Sequence, residues 1–330
     1  MILGGDVGGT KCNLALFDER LGALVMGEDR RFPSRDFPTF EDVVAEFVRS
    51  VAEPAGIKVT AAGFGVAGPV HKGTVVATNL PWRIEAKSLA DLLNLPHVAL
   101  LNDLEATANG IAALGPKDFE TLNKGTEGAH GLQAVIAAGT GLGEAGLYWD
   151  GSRHRPFSSE GGHADFAPRN ELEDDLLVYL RTRFGSHVSW ERILSGPGLR
   201  NVYDFLRDTK RGTEEPWLKE AMEKDDPSAV ISRAALDHKS KICVDALDLF
   251  VSIYGGEAGN LALKLLSAGG VYVGGGIAPK ILPKLRGPVF MENFLAKGRL
   301  RPVLEQMPVR VILNDNTALF GAARGALASL

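Results

Sequence analysis

The chain has 330 residues and a net charge of −5, with 45% hydrophobic and 23% charged residues and a pI near 5.9. That balance belongs to a soluble globular enzyme of about two domains, and the acidic surplus excludes nucleic acid as the main partner, because phosphate backbones call for a basic face. No apolar run reaches the ~18 residues of a membrane span. The opening MILGGD has no basic or long apolar leader, and only Cys12 and Cys243 occur, without local pattern. No secretion, a reducing cytoplasm and no cysteine-built zinc site are therefore expected.

The first segment, GGDVGGTKCNLALFDE, ends at Glu19. Past Thr10, Cys12, Leu14 and Leu16 alternate with Asn13, Ala15 and Phe17. Period two is a strand rhythm, so the glycines are expected to turn a β-hairpin. Strands follow at 61–70 (AAGFGVAGPV) and 98–103 (VALLND), then a helix over 104–114. IAAGTGLGEAGLYWDG (136–151) repeats the form of the opening: apolar run, glycine turn, second apolar run, charged turn. Two such hairpins suggest two halves related by duplication, against chance reuse of a common turn. Amphipathic helices are expected over 171–185 and 238–266, the second with a possible break at Gly255–Gly256. The polar stretch 207–228 reads as an exposed insertion. GGVYVGGG (269–276) is a strand entering glycines, with a helix starting in APKILPKL; VRVIL (309–313) is a strand, and 314–330 a closing helix with cap candidates from Asn314 to Asn316. Strands alternating with helices make the class α/β.

The glycine turns bear on phosphate. A dinucleotide fold requires Gly-x-Gly-x-x-Gly between a strand and a helix, and the first turn leads into a strand. Gly141, Gly143 and Gly146 match that spacing but are followed by LYWDG, again strand and turn. A P-loop needs Gly-Lys, which the chain lacks. What remains is a hairpin whose backbone amides form a nest for phosphate oxygens, with Asp6 placed to hold hydrated magnesium; Lys11 is either an added charge or a solvated strand residue. Asn102 and Asp103 stand at the carboxyl end of a strand, where open α/β sheets place ligands, although Asp103 also suits a helix N-cap. Glu160 and His163 flank two glycines; a metal half-site is the rival reading, but no third ligand is evident. Glu191 stands early in a helix expected to end near Gly196–Pro197, an ordinary place for an acid. Asn79 and Trp82 lie in ATNLPWRI, Trp82 as a core or rim aromatic.

GGDVGGTK, LLND, AAGTGLG, EGGHADFAP, RILSGPGL and VGGGIAP occur in that order. Together they resemble the bacterial ATP-dependent glucokinases of the hexokinase–actin superfamily, over nearly the whole chain. The resemblance implies a two-domain actin-like, hexokinase-type ATPase fold: residues 1–113 plus 314–330 as a smaller α/β domain and 114–313 as a larger one, with a cleft between them and hinges near 110–115 and 312–316. It implies glucose and ATP as ligands, Mg²⁺ held by Asp6 through water, and a homodimer. Asp103 is then the base that takes the proton of the sugar 6-hydroxyl, with Asn102, Asp103, Glu160, His163 and Glu191 binding sugar. Gly5, Asp6, Val7, Gly8, Gly9 and Thr10, with Gly139, Thr140 and Gly141, line the phosphates; Gly275 and Gly276 lie along the adenosine; Asn79 matches a loop near the cleft. The related ROK kinases carry a cysteine-rich zinc motif after Glu-x-x-His; no cysteine lies between Cys12 and Cys243, so no zinc is expected, and a ROK repressor's helix-turn-helix has no room before the first hairpin. Another hexose, polyphosphate as donor, or a non-catalytic sugar sensor are the alternatives.

Overall fold

The computed structural model describes every residue except Thr78, Asn79, Glu127, Ala129, Ser329 and Leu330; Asn79 thus lies outside the described residues. The strands are β1 (Ile2–Val7), β2 (Lys11–Arg20), β3 (Ala23–Pro33), β4 (Ala61–Val66), β5 (Thr74–Val76), β6 (Arg83–Glu85), β7 (Val98–Asn102), β8 (Phe119–Asn123), β9 (Gln133–Ala138), β10 (Leu142–Trp149), β11 (His154–Ser159), β12 (Gly270–Gly274) and β13 (Val309–Ile312). The chain forms two compact units, Met1–Asp118 with Asp150–Ser158 and Asn314–Leu330, and Phe119–Trp149 with Ser159–Leu313.

In the first unit the sheet order is β3-β2-β1-β4-β7. β1 pairs antiparallel with β2 and parallel with β4, and β4 parallel with β7. The register sets Val7, Val66 and Asn102 level, so the three parallel strands end together and present Asp6 and Asp103 at one carboxyl edge. Leu3, Leu14 and Phe64 fill the core under the sheet. Trp82 is buried, with its ring 6.2 Å from that of Phe40, and is a core aromatic. The closing helix, Thr317–Ala328, packs on β1, β4 and the helix Asp103–Gly110. Gly321 permits this approach, since a Cβ there would collide with the Ala106 carbonyl.

In the second unit the strands β10-β9-β12-β13-β8 lie side by side, with β9 antiparallel to β10 and parallel to β12, and β12 parallel to β13. Two antiparallel-then-parallel sheets built around a glycine hairpin agree with two related halves. The core gathers Ile136, Leu199, Phe250, Tyr254 and Phe290.

Four local expectations are corrected. The helix Lys241–Leu265 runs through Gly255–Gly256 without a break. Glycine there costs about 1 kcal/mol against alanine, but a Cβ on Gly255 would collide with the Phe290 carbonyl, so it serves close helix packing. Gly196–Pro197 begins a helix, Gly196–Asp208, and does not end one: the Ser195 hydroxyl accepts from Gly198 N at 3.0 Å, and proline is favoured in a first turn. Glu191 sits instead in the short 3₁₀ turn Trp190–Arg192. The helix expected to start in APKILPKL is only one turn there, Leu282–Leu285. Within 207–228, the helix Pro216–Lys224 buries Leu218 and Met222, so this stretch joins the core by one face.

Candidate active site

In the first unit the site begins with the turn after β1. Gly8 N donates to Lys11 O at 3.0 Å, closing the loop through Gly9 and Thr10. Asp6 lies opposite Asn13 in the hairpin. Asn13 Oδ1 accepts from Arg31 Nε at 2.9 Å, which fixes the amide so that its Nδ2 faces Asp6 Oδ2 at 3.4 Å. Asn13 is thus a site residue that the sequence reading passed over; its signal was a lone polar residue in an apolar hairpin strand. Burial pushes the Asp6 carboxyl above its ordinary range, and the Asp103 charge pushes it further; Asn13 and Lys11 oppose this. Lys11 itself is exposed.

Asn102 and Asp103 have separate tasks. Asn102 is the N-cap of the helix Asp103–Gly110, its Oδ1 accepting from Leu104 N at 3.0 Å and Glu105 N at 3.4 Å, while its Nδ2 donates to Gly68 O at 3.1 Å. Capping is therefore done by Asn102, not by Asp103. Asp103 Oδ1 accepts from Leu104 N at 2.8 Å. The helix approaches β4 over Gly65, where a Cβ would stand 2.7 Å from that of Ala106. Since Gly65 pairs with Asp6, this one glycine brings the Asp103 helix close to the Asp6 strand.

In the second unit the turn Gly139–Gly141 joins β9 to β10. Gly139 O accepts from Gly196 N at 2.8 Å, so the hairpin tip is docked on the start of the helix Gly196–Asp208. Glu191 Oε2 accepts from Leu142 N at 3.0 Å, and a Cβ on Gly141 would collide with the same carboxylate. Glu160 and His163 bracket the 3₁₀ turn Gly161–His163, with 3.9 Å between Glu160 Oε2 and His163 Nε2 and side chains 76% and 59% exposed. A Cβ on Gly162 would collide with Leu142 O. Leu142 thus holds Glu191 through its N–H and the Glu160–His163 turn against its carbonyl, which gathers these three polar side chains on one side of the second hairpin. Among the described residues no group of three or more His, Cys, Asp or Glu is arranged to hold a metal ion.

Gly275 has φ +81°, and a Cβ there would collide with Ala138 O. It lets the turn after β12 fold onto the end of β9, where Ile277 N donates to Ala138 O at 3.2 Å. Gly139 and Gly276 differ: neither has a positive φ, and nothing lies within 4 Å of a Cβ built on either. Neither backbone conformation nor packing demands glycine at these two positions.

Comparison with known proteins identifies the family. The glucokinase family model matches residues 3–329. A glucokinase of Nostoc punctiforme is 42% identical, with 98% of each chain covered. One of Caulobacter vibrioides is 36% identical over 97% of this chain and 93% of its own. The crystal structure of a glucokinase from an Antarctic psychrotroph superposes with TM-score 0.85 at 31% identity, covering 99% of this chain and 98% of that one. A ROK-family glucokinase from Streptomyces griseus, in complex with glucose and AMPPNP, shares the fold with TM-score 0.68 at 24% identity over 99% of both chains. By the family model and by these relatives the chain belongs to the glucokinase family.

Proposed function

We propose that the protein transfers the γ-phosphoryl group of ATP to the 6-hydroxyl of glucose, giving glucose 6-phosphate and ADP. The observation that carries this reading is the carboxylate of Asp103, which opens the helix that Asn102 caps and is held at the same strand edge as Asp6. The 6-oxygen attacks phosphorus while its proton passes to Asp103, and the bond to the β-phosphate oxygen breaks. A general base contributes roughly 10²–10⁴ to such a step; positioning and charge stabilisation carry most of the rest.

The turn amides of Gly9 and Thr10 and of Thr140 and Gly141 form nests for phosphate oxygens, closed by the bonds of Gly8 N and Gly139 N within each turn, with Gly5 and Val7 shaping the first and Thr140 adding its hydroxyl to the second. Gly139 and Gly276, open on their Cβ sides, let phosphate and adenosine approach the backbone. Asp6 fits a cation, since its charge is disfavoured by burial and by Asp103. Magnesium bound there with ATP would supply compensating positive charge.

Glucose hydroxyls meet Glu160, His163 and Glu191, which keeps one oxygen beyond its bond to Leu142 N. Asn102 has one amide hydrogen left after Gly68, so its share in sugar binding is a single donated bond. The family likeness supports lobes of residues 1–113 with 314–330 and of residues 114–313 whose closure excludes water. A cytoplasmic homodimer belongs to the same reading, supported by the family likeness and, for the compartment, by two free buried cysteines.

The test is glucose-dependent formation of glucose 6-phosphate from ATP and magnesium. Turnover that disappears in Asp103→Asn supports both the reaction and the base. Turnover near the wild-type rate in that variant, or none in the wild-type protein with glucose, overturns the corresponding half.

A further inference from the structure

The one carboxylate in β10, Glu144, has no part in the chemistry above, yet it lies directly beneath the turn that carries Glu160 and His163. It is 1% exposed, and its Oε1 has no hydrogen-bond partner among the described residues. A Cβ on Gly161 would collide with Oε2 of the same carboxyl, so Gly161 rests on it. The other neighbour is Glu257, wholly buried in the helix Lys241–Leu265 and hydrogen-bonded to Glu144. Glu257 accepts from Asn260 Nδ2 at 2.8 Å and from Lys264 Nζ at 3.1 Å. The Lys264 ammonium bonds to Glu257 and not to Glu144, so it is Glu144 whose neutral form is favoured by burial beside the Glu257 charge.

Two buried carboxylates in contact cannot both ionise without one moving. Each element packed around Glu144 adds its own groups. Its cross-strand partner on β9 is Ile136, which carries no charge. The long helix contributes Tyr254, Glu257 and Lys264. The turn contributes Glu160 and His163. Lys297 faces Glu257 from the end of the neighbouring helix, with Arg169 and Glu173 behind it. Burial, then the Glu257 charge, pushes the Glu144 carboxyl up to about 8. A charged Glu144 would have Glu257 on one side and the Gly161–Gly162 backbone on the other, and the turn is the part it would displace.

We propose that Glu144, kept neutral against Glu257, is a positioning residue whose carboxyl forms the floor of the Gly161–His163 turn, so that loss of the Glu144 proton weakens sugar binding through Glu160 and His163 while leaving the phosphoryl-transfer groups in place. This rests on the reading that Glu160 and His163 bind the sugar.

The experiment is a set of pH profiles, from 6.5 to 9.5, of KM for glucose, KM for ATP and kcat, in the wild type and in Glu144→Gln, which keeps the shape without the titrating proton. In the wild type, KM for glucose should rise above pH 8, by up to about tenfold per unit, while KM for ATP stays level; in Glu144→Gln the rise should vanish. Glu144→Ala, which removes the floor, should raise KM for glucose about tenfold or more at pH 7, with kcat within about threefold, and Gln should restore it. If the alanine variant fails to fold, the Gln profile decides alone. A wild-type KM for glucose flat to pH 9.5 overturns the proposal. So does an alkaline rise that persists in Glu144→Gln; its movement in Lys297→Arg would assign the proton to Lys297, whose ammonium is pushed down to about 8 by burial. The sugar-site reading is judged separately: Glu160→Gln with an unchanged KM for glucose removes that reading, whatever Glu144 does.

Discussion

The two glycine hairpins are built alike and used differently. Each is an antiparallel pair that continues into parallel strands on one side. Two residues before its turn the first hairpin carries Asp6, opposite Asn13; at the same place the second carries Ala137, opposite Gly143. One copy thus holds a buried acid oriented by an amide and repelled by Asp103. The other offers only backbone N–H groups, and its acid, Glu144, lies seven residues further along under the Glu160–His163 turn. An acid at that place in the second hairpin would repel the phosphates that the proposed nest holds.

The contrast can be broken most severely at Asp103. Asp103→Asn should fold normally and lower kcat by about 10²–10⁴, whereas Glu191→Gln, at the residue that bonds to the other hairpin through Leu142 N, should act mainly through KM for glucose; equal kcat losses would erase the division. Next is an exchange of character. Asp6→Asn should lower kcat by at least tenfold and raise the magnesium requirement, and Ala137→Asp should raise KM for ATP by about tenfold through charge repulsion.

Asp6 also gives a stability test. Its native pKa is raised, so the folded state holds the proton more tightly than the unfolded one, and stability falls as pH rises through the native value. Asp6→Asn, with no charge to bury, should therefore melt higher than wild type at pH 7, and the difference should shrink towards pH 4. A lower Tm at pH 7 would mean that Asp6 is a structural residue.

The glycines provide a smaller and sharper test. Gly275→Ala meets both a positive φ and the Ala138 carbonyl, and should cost about 1–3 kcal/mol of stability by thermal melting. Gly139→Ala meets neither, and should keep its Tm while KM for ATP rises. A fall in Tm for Gly139→Ala would make that glycine structural. Smallest is Asn13→Ala, which leaves Asp6 with a longer search for its working orientation; a reduction in kcat of about threefold, with KM for glucose unchanged, is expected from the loss of one long hydrogen bond.

Much of this division was legible in the chain itself. Alternation after Thr10 distinguished a hairpin from a dinucleotide turn, because period two cannot serve a helix. The second glycine run marked a second hairpin, and LLND placed Asp103 at a strand end. Local pattern failed where distant segments supplied the reason for a residue. Gly255–Gly256 looks like a helix break until the helix Pro288–Leu295 is packed across it. Ser195-Gly196-Pro197 reads equally as a stop or a start until Gly139 is seen to accept from Gly196.

The sequence by itself determined the α/β class, the two glycine hairpins and the types of polar side chain at the candidate site, because these depend on period, turn chemistry and residue identity, which are local. Tertiary structure alone decided that Asn102 is the N-cap of the helix that Asp103 opens, that Asn13 is turned toward Asp6 by Arg31, and that Glu144 is buried beneath Gly161. Those outcomes follow from which polar groups are brought together away from water, and such neighbours are set by strand register and helix packing between residues far apart in the chain.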